Sequence, residues 1–202
     1  MLAQRYAEHD DTPVDDRIVV LRDASWVDYQ RILAMRGDAA APRVAYLEGA
    51  LEITNPSKDH ESIKSRLGCL VDVWCEERGV DFEKIGSWTL EREEKLGAVE
   101  PDESYIFGPA GEALRPDLAI EVVWTTGGVS KLEIYRRLGV REVWFWRRGR
   151  LTVHALKGEA YAEVSASEVL PGIDLAELVQ FLNRPTTGQA VREYRAVLKP
   201  KA

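Results

Sequence analysis

Two carboxylates interrupt a stretch of the chain that otherwise has the composition of a buried strand. The stretch is 115–123, and its leucine, isoleucine and valine side chains are typical of the interior of a sheet. Because side chains alternate between the two faces of a strand, Asp117 and Glu121 share one face. Ionised carboxylates are almost never buried without a charge partner, so this pattern indicates a functional site.

A third acid and a lysine flank this stretch. Asp102 follows a proline and precedes a second apolar segment, and Lys131 opens the amphipathic segment downstream. Carboxylates from neighbouring strands that converge with a lysine make a site for a hard divalent cation and a phosphate. We therefore expect Asp102, Asp117 and Glu121 to lie within reach of one cation, with Mg²⁺ or Mn²⁺ as the metal.

Each of these residues also has a simpler structural explanation. Asp102 and Asp117 could be turn residues, because aspartate after proline is common in turns, and Asp117 could pair with a neighbouring arginine. Glu121 could form an ion pair with an arginine such as Arg136. Lys131 could be a solvated residue at a helix start. The sequence leaves these alternatives open.

Further polar residues lie near the predicted hairpin and the long helix that follows it. His60 could position a substrate, tune the carboxylates or cap the helix. Glu61 could face the site from the helix, although a solvated position is favoured. Glu48 and Glu52 are expected to be exposed, as glutamates on a hairpin ordinarily are.

Composition limits the class of protein. A chain of 202 residues suits one domain with short terminal extensions, and 45% hydrophobic with 30% charged residues is typical of soluble proteins. No apolar run approaches the roughly 18 residues of a membrane span, and residues 1–16 lack an apolar block, so neither a membrane nor a secretory signal is expected. Cys69 and Cys75 do not share a helix face and are expected to be free thiols in a reducing, cytoplasmic compartment.

The net charge of −7 argues against broad, non-specific binding to nucleic acid, which usually leaves a basic footprint. An acidic metal site, however, itself contributes negative charge until a cation binds. Basic residues are also clustered locally, at Arg136, Arg137, Arg141, Arg147, Arg148 and Arg150. The charge therefore does not exclude a nucleic-acid partner.

The elements that must position these residues follow a simple order. Periodicity and cap residues predict helices over 26–35, 58–78, 130–138 and 175–182, and strands over 44–47, 50–53, 82–90, 99–107, 115–123, 140–146, 151–156 and 161–164. From the long helix onward the order is helix, three strands in a meander, helix, strand. A helix between two strands makes a right-handed crossover in which those strands can lie parallel. This predicts an α/β domain with a mixed sheet.

We divide the chain into three parts on this basis. Residues 1–43 form an N-terminal extension with a short helix that begins at the capping box of Ser25 and Asp28. Residues 44–183 form the α/β domain. Residues 184–202 form a C-terminal tail that extends a helix or frays.

This order, with acids on the second and third strands of the meander, resembles the PD-(D/E)xK nuclease superfamily. It resembles more closely the Uma family of restriction-endonuclease-like proteins, which is common in bacteria, and the resemblance covers about 44–182. The residues that carry it are Glu48-Gly49-Ala50-Leu51-Glu52, Pro56 with His60, Pro101-Asp102, Pro116-Asp117-Leu118-Ala119-Ile120-Glu121-Val122, Lys131 with Tyr135, Gly139-Val140-Arg141-Glu142-Val143-Trp144 and Leu170-Pro171-Gly172. The resemblance implies a restriction-endonuclease-like mixed sheet flanked by helices, in the order αβββαβ, after an N-terminal helix and hairpin.

The resemblance also implies an activity, an Mg²⁺-dependent endodeoxyribonuclease that hydrolyses phosphodiester bonds in DNA. The superfamily's second-strand acid falls on Asp102 and its third-strand acid on Glu121, and Asp117 matches the acid of a further Pro-Asp pair. The usual lysine, two residues after the third-strand acid, is Val123 here. Lys131 matches a lysine that serves instead in the Uma family. The implied catalytic set is therefore Asp102, Asp117, Glu121 and Lys131, with the three acids as metal ligands.

Departures from the family pattern favour a second hypothesis, a catalytically inactive binding or scaffold protein with the nuclease fold. Val123 replaces the usual lysine, and Gly127 replaces the acid often found four residues before Lys131. A metal hydrolase of another kind is disfavoured because the chain has only 3 histidines. Symmetric cutting of both DNA strands would require two active sites, so a homodimer is also expected. Trp144 and Trp146 could stack bases, but strand alternation favours core packing.

Overall fold

A computed structural model describes residues 15–109, 111, 113–124 and 128–199. The segment 1–14, which belongs to the region expected to carry no secretory signal, and Gly127, where a family acid is replaced, lie outside the described residues. The elements are β1 (Arg17–Leu21), α1 (Trp26–Arg36), β2 (Arg43–Leu47), β3 (Ala50–Asn55), α2 (Lys58–Arg78), β4 (Phe82–Lys84), β5 (Leu90–Arg92), β6 (Gly97–Val99), β7 (Glu103–Phe107), β8 (Leu118–Val122), α3 (Lys131–Leu138), β9 (Glu142–Arg147), β10 (Arg150–Lys157), β11 (Ala160–Val164), α4 (Leu175–Val179) and α5 (Thr187–Leu198).

A six-stranded sheet forms the centre of the fold, with the strand order β11-β10-β9-β8-β7-β4. Strands β4, β7 and β8 form an antiparallel meander. Strand β9 pairs parallel to β8, and the crossover between them carries α3. This is the predicted order of helix, three strands, helix and strand, so the expected restriction-endonuclease-like α/β fold is confirmed.

A second sheet of five strands, in the order β1-β3-β2-β6-β5, is built around the predicted hairpin. Its turn residues Glu48 and Gly49 both have positive φ angles, of 45° and 90°, which suits a two-residue hairpin connection. The edge strand β1 pairs antiparallel with β3 and was not predicted. Its five residues alternate between exposed and half-buried, too short a signal to identify from the sequence.

Two of the predicted strands are wrong in extent, because the chain changes sheets within each of them. The segment 82–90 contributes β4 to the six-stranded sheet and begins β5 in the other, with Gly86 at a positive φ of 68° between them. The segment 99–107 is divided between β6 and β7. Pro101 lies at this division, and proline has no N–H to donate to a strand ladder. The division places Asp102 at the point where the chain enters the six-stranded sheet.

Strand β8 is buried on both faces and separates two cores. Leu118, Ile120 and Val122 pack into a cluster with leucines of α2. Ala119, on the opposite face, packs into a second cluster with Ile134 of α3. Glu121 shares the face of Ala119, so the alternation of β8 directs this acid toward α3.

Helices α2 and α5 pack against each other. Helix α2 runs over the predicted residues and ends at Gly79 in the left-handed conformation, with φ of 65°. Helix α5 lies in the segment assigned to the tail, and its Ala190, Tyr194 and Leu198 belong to the same core cluster as α2. This segment is therefore a packed helix and does not fray. Helix α4 ends at Val179, three residues before the predicted end.

Both cysteines are free thiols, as predicted. Cys75 is buried and Cys69 half-buried, and burial raises the pKa of each thiol. None of the described helices combines the length and the apolar character that a membrane crossing requires.

Candidate active site

Glu121 is fully buried near the end of β8, yet both of its carboxylate oxygens have donors. The ammonium of Lys131 lies 2.7 Å from Oε2, and the hydroxyl of Tyr135 donates to Oε1. Lys131 and Tyr135 are four residues apart and therefore share one face of α3. Ser130 caps this helix by accepting a hydrogen bond from the backbone N–H of Glu133. The crossover thus returns the first turn of α3 to the acid at the end of the preceding strand.

Tyr135 acts as a fixed hydrogen-bond donor in this arrangement. Burial, together with the neighbouring carboxylate of Glu121, raises the pKa of Tyr135 well above its ordinary value. The hydroxyl therefore stays protonated over the physiological range. Lys131 is one-fifth exposed, so its ammonium is the part of this group that contacts solvent. The alternative partner for Glu121, Arg136, instead pairs with Glu133.

Asp102 is also fully buried, at the crossing point between the two sheets. Its Oδ2 accepts a hydrogen bond of 2.6 Å from the backbone N–H of Val122. Its Oδ1 lies 2.9 Å from Nε2 of His60 and forms an ion pair with the guanidinium of Arg43. Asp102 thus lies in a bend directly before β7, as the turn explanation expects, but its carboxylate is buried and paired instead of facing solvent.

Asp102 lies next to Glu121 at one end of the β7–β8 pair. The ladder between the two strands runs as far as Glu103 and Ile120. Beyond it, the backbone N–H of Asp102 donates to the carbonyl of Ile120 at 3.1 Å, and the carboxylate of Asp102 accepts from the backbone N–H of Val122. Asp102 is therefore bonded to both chain neighbours of Glu121.

His60 bridges two carboxylates instead of capping its helix. Its Nδ1 lies 2.8 Å from Oδ2 of Asp16, while Nε2 contacts Asp102. The helix cap is provided by Ser57, whose hydroxyl accepts from the backbone N–H of His60. Of the roles left open for His60, the structure therefore supports orientation of a carboxylate.

Asp16, which precedes β1, has no distinguishing signal in the sequence. Burial opposes its ionisation, but hydrogen bonds from His60 and from the backbone N–H of Ser57 outweigh that effect and lower its pKa. Asp16 is therefore an ionised anchor for the imidazole.

Glu52 was expected to be exposed and is instead buried. Its Oε2 accepts a hydrogen bond of 2.9 Å from the backbone N–H of Val129, and its Oε1 accepts one of 3.0 Å from the hydroxyl of Thr54. A Cβ at Gly128 would collide with this carboxylate, so a larger residue there would displace the Glu52 side chain. Glu52 thereby ties β3 to the segment that precedes α3. Glu52 lies in a segment that carries the family resemblance, and this resemblance was the signal in the sequence that could have identified Glu52 as a residue of the site.

A cleft of about 550 Å³ opens over these residues. Its wall includes Asp16, Glu52, His60, Ser130, Lys131, Phe145, Arg147, Arg150, Thr152, His154 and Glu163. Asp102 and Glu121 are buried beneath this wall, each bonded to one of its members, His60 and Lys131 respectively. Two buried acids, a lysine and a histidine thus meet at one opening.

Asp117 lies at the other end of β8. Its Oδ2 accepts a hydrogen bond of 3.0 Å from the backbone N–H of Phe107, and its Oδ1 pairs with Arg141 at 3.0 Å. Phe107 and Asp102 flank opposite ends of β7, five residues or about 16 Å apart in an extended strand. The structure therefore does not bring Asp117 to Asp102. Within the described part of the chain, no group of three acidic, histidine or cysteine side chains is close enough to hold a metal ion.

Four further candidate residues do not line the cleft. Glu61 is half-exposed and pairs with Arg43, and Glu48 is exposed and pairs with Arg137. Trp144 and Trp146 are buried in the core cluster that contains α2, so the expected core packing is confirmed.

The strand order and the buried acids at the end of the meander define an α/β protein of the restriction-endonuclease-like class. The chain belongs to the Uma2 family, whose model, described as "Putative restriction endonuclease", matches residues 26–185. This membership confirms the resemblance and identifies the protein as a member of a nuclease family.

A solved structure offers a further comparison. A protein from Anabaena variabilis, described as "a putative nuclease belonging to DUF820", is 12% identical, with a TM-score of 0.44. The match covers 82% of this chain and 97% of the other. No curated protein matches this chain.

Proposed function

We propose that this protein is a metal-dependent endonuclease that hydrolyses phosphodiester bonds in DNA. The observation that carries the proposal is the position of two fully buried acids, Asp102 and Glu121, at one end of β7 and β8 beneath an open cleft, with the ammonium of Lys131 on Glu121. Membership of a nuclease family supports the reaction class.

The donor set is compatible with Mg²⁺ or Mn²⁺. Mg²⁺ is commonly held by one or two carboxylates, while water and substrate phosphates complete its coordination. Asp102 and Glu121 provide oxygen ligands only. When bound, the cation would neutralise a phosphate oxygen and lower the pKa of an attacking water. Asp117 is not included as a ligand, because Arg141 and the backbone of Phe107 hold it at the far end of β8.

The other residues of the site would orient the acids and stabilise charge. Tyr135 fixes the Glu121 carboxylate, and the Asp16–His60 pair fixes Asp102. The ammonium of Lys131 contacts the cleft and would stabilise negative charge that develops on the phosphate. Val123 also lines the cleft, so the position that holds a lysine elsewhere in the superfamily supplies no charge here.

Cation-dependent melting tests the metal site separately from catalysis. A cation that binds only the folded protein raises its melting temperature, by an amount that depends on concentration. We expect Mg²⁺ or Mn²⁺ to raise the melting temperature of the wild type and to have much less effect on Asp102→Asn/Glu121→Gln. An equal rise in both proteins would show that the cation binds elsewhere. Cleavage of supercoiled plasmid with the same cations then tests the activity, and the mass in solution tests the homodimer.

Binding of nucleic acid without cleavage is the second candidate function. One observation favours it: Asp102 and Glu121 are both fully buried, and each already pairs with a basic side chain, Arg43 or Lys131. A cation would have to compete with these side chains. Nucleic-acid binding by a protein that shows neither cation-dependent stabilisation nor cleavage would favour this function.

A further inference from the structure

The cleft continues beyond the acids along one face of β9 and β10. The register pairs Glu121 with Phe145 across β8 and β9, and Phe145 with Thr152 across β9 and β10. Residues paired in this way project from the same face of the sheet, so Phe145 shares the face of Glu121. Phe145 is half-buried, whereas Trp144 and Trp146, on the other face, are buried in the core. The strand therefore presents a phenylalanine to the cleft.

A second ring extends this aromatic surface. The imidazole of His154 lies 5.5 Å from the ring of Phe145, at an interplanar angle of 79°. His154 is half-buried, and burial lowers its pKa. At neutral pH it therefore contributes an uncharged ring to the wall of the cleft.

Two exposed arginines, Arg147 and Arg150, stand next to these rings. They pair with each other in the register of β9 and β10 and line the same cleft. No ion pair involves Arg147 within the described part of the chain. Arg150 lies 3.2 Å from Glu163, but both side chains are more than half exposed, and such surface pairs contribute little stability. Both guanidinium groups can therefore engage a phosphate.

We infer that this surface, defined by Phe145, His154, Arg147 and Arg150, binds an unpaired nucleotide of the DNA strand next to the phosphate to be cleaved. The inference rests on the proposed function and names the substrate class of the same cleft. Aromatic rings beside basic side chains are the common arrangement for binding single strands, in which the base stacks and the backbone meets positive charge. A base within a duplex is stacked on both of its faces and offers neither to Phe145. A volume of about 550 Å³ is within the range of sites that enclose one small molecule.

The test is equilibrium binding of a labelled single-stranded DNA oligonucleotide and of the blunt duplex of the same sequence, measured by fluorescence anisotropy in EDTA. Without a divalent cation the readout does not depend on cleavage, so this inference and the proposed function can fail separately. We expect the wild type to bind the single strand more tightly than the duplex. Phe145→Leu should weaken that binding about 5- to 100-fold, while Phe145→Trp, which keeps a ring, should retain it.

The arginines are tested by the salt dependence of the same binding. The slope of log K against log salt is negative, and each lost contact to a phosphate of a single strand makes it less steep by about 0.7. Arg147→Gln/Arg150→Gln should therefore make the slope less steep by about 1.4. Arg31→Gln is the matched control, because Arg31 is an exposed arginine on α1. Melting temperatures close to that of the wild type would show that each variant is folded.

Several outcomes would overturn the inference. They are tighter binding of the duplex, no binding of the single strand, or unchanged affinity and salt slope in folded Phe145→Leu and Arg147→Gln/Arg150→Gln. Metal-dependent cleavage by the wild type, together with any of these, would leave the proposed function standing and place the substrate strand elsewhere.

Discussion

The Lys131–Glu121 ion pair leads to a quantitative prediction about stability. Glu121 is fully buried and Lys131 is one-fifth exposed, with 2.7 Å between Nζ and Oε2. Lys131→Met keeps most of the side chain and removes its charge, which leaves a buried carboxylate supported by Tyr135 alone. Loss of one partner of a buried pair typically costs about 3–5 kcal/mol. Partial exposure and the remaining hydrogen bond reduce this to about 2–4 kcal/mol, or roughly 4–16 °C in melting temperature for a chain of this size.

The assay is urea unfolding in EDTA, with two matched variants. Lys157→Met removes the same charge from an exposed pair with Glu168 and should cost less than about 1 kcal/mol. Glu121→Gln/Lys131→Met removes both charges and should be more stable than Lys131→Met alone. In a parallel series without EDTA, Mg²⁺ should stabilise Lys131→Met more than the wild type, because the cation replaces the missing positive charge. If Lys131→Met costs no more than Lys157→Met, the pair does not neutralise a buried charge and the reasoning is refuted.

Three further predictions concern the scaffold. Glu142 is fully buried and accepts hydrogen bonds from Trp144 Nε1, Ser167 Oγ and the backbone N–H of Glu168, so Glu142→Ala should cost about 2–4 kcal/mol in urea unfolding. The hydrogen bonds from Arg136 and then Arg137 lower the pKa of Glu133 from 4.5 to about 2. The wild type should therefore be more stable than Glu133→Gln at pH 7, and this advantage should shrink as pH falls from 4.5 toward 2, whereas a constant difference would contradict it. Ser25→Ala breaks the capping box of α1 and should cost about 1 kcal/mol, and no change in urea midpoint would show that the cap contributes nothing.

Local patterns in the sequence were sufficient for the framework of the fold. Periodicity and a terminal glycine predicted α2, because both signals lie within the helix itself. The break at Pro101 was missed because a proline shows where a ladder ends, but does not show which sheet the chain joins next. Strand β1 was missed because an edge strand of five residues carries little periodicity.

The site was predictable only in part, for physical reasons. Alternation relates the faces on which Asp117 and Glu121 lie, but it says nothing of their separation along the strand, and four residues span about 13 Å. The partners of the acids come from distant parts of the chain. Asp16 meets His60 across 44 residues, and Glu52 meets Val129 across 77. Such contacts depend on how the two sheets pack, which no local pattern encodes.

The measurement that tests the central claim most directly compares two acids of one strand in a cleavage assay. Glu121→Gln and Asp117→Asn each neutralise one carboxylate, at opposite ends of β8, but only Glu121 lies beneath the cleft. With Mg²⁺ or Mn²⁺ and plasmid or single-stranded DNA, we expect Glu121→Gln to lose at least about 10²-fold in cleavage rate and Asp117→Asn to remain close to the wild type. Equal losses in two folded variants would contradict the assignment of the site, and full activity in Glu121→Gln would remove that residue from it.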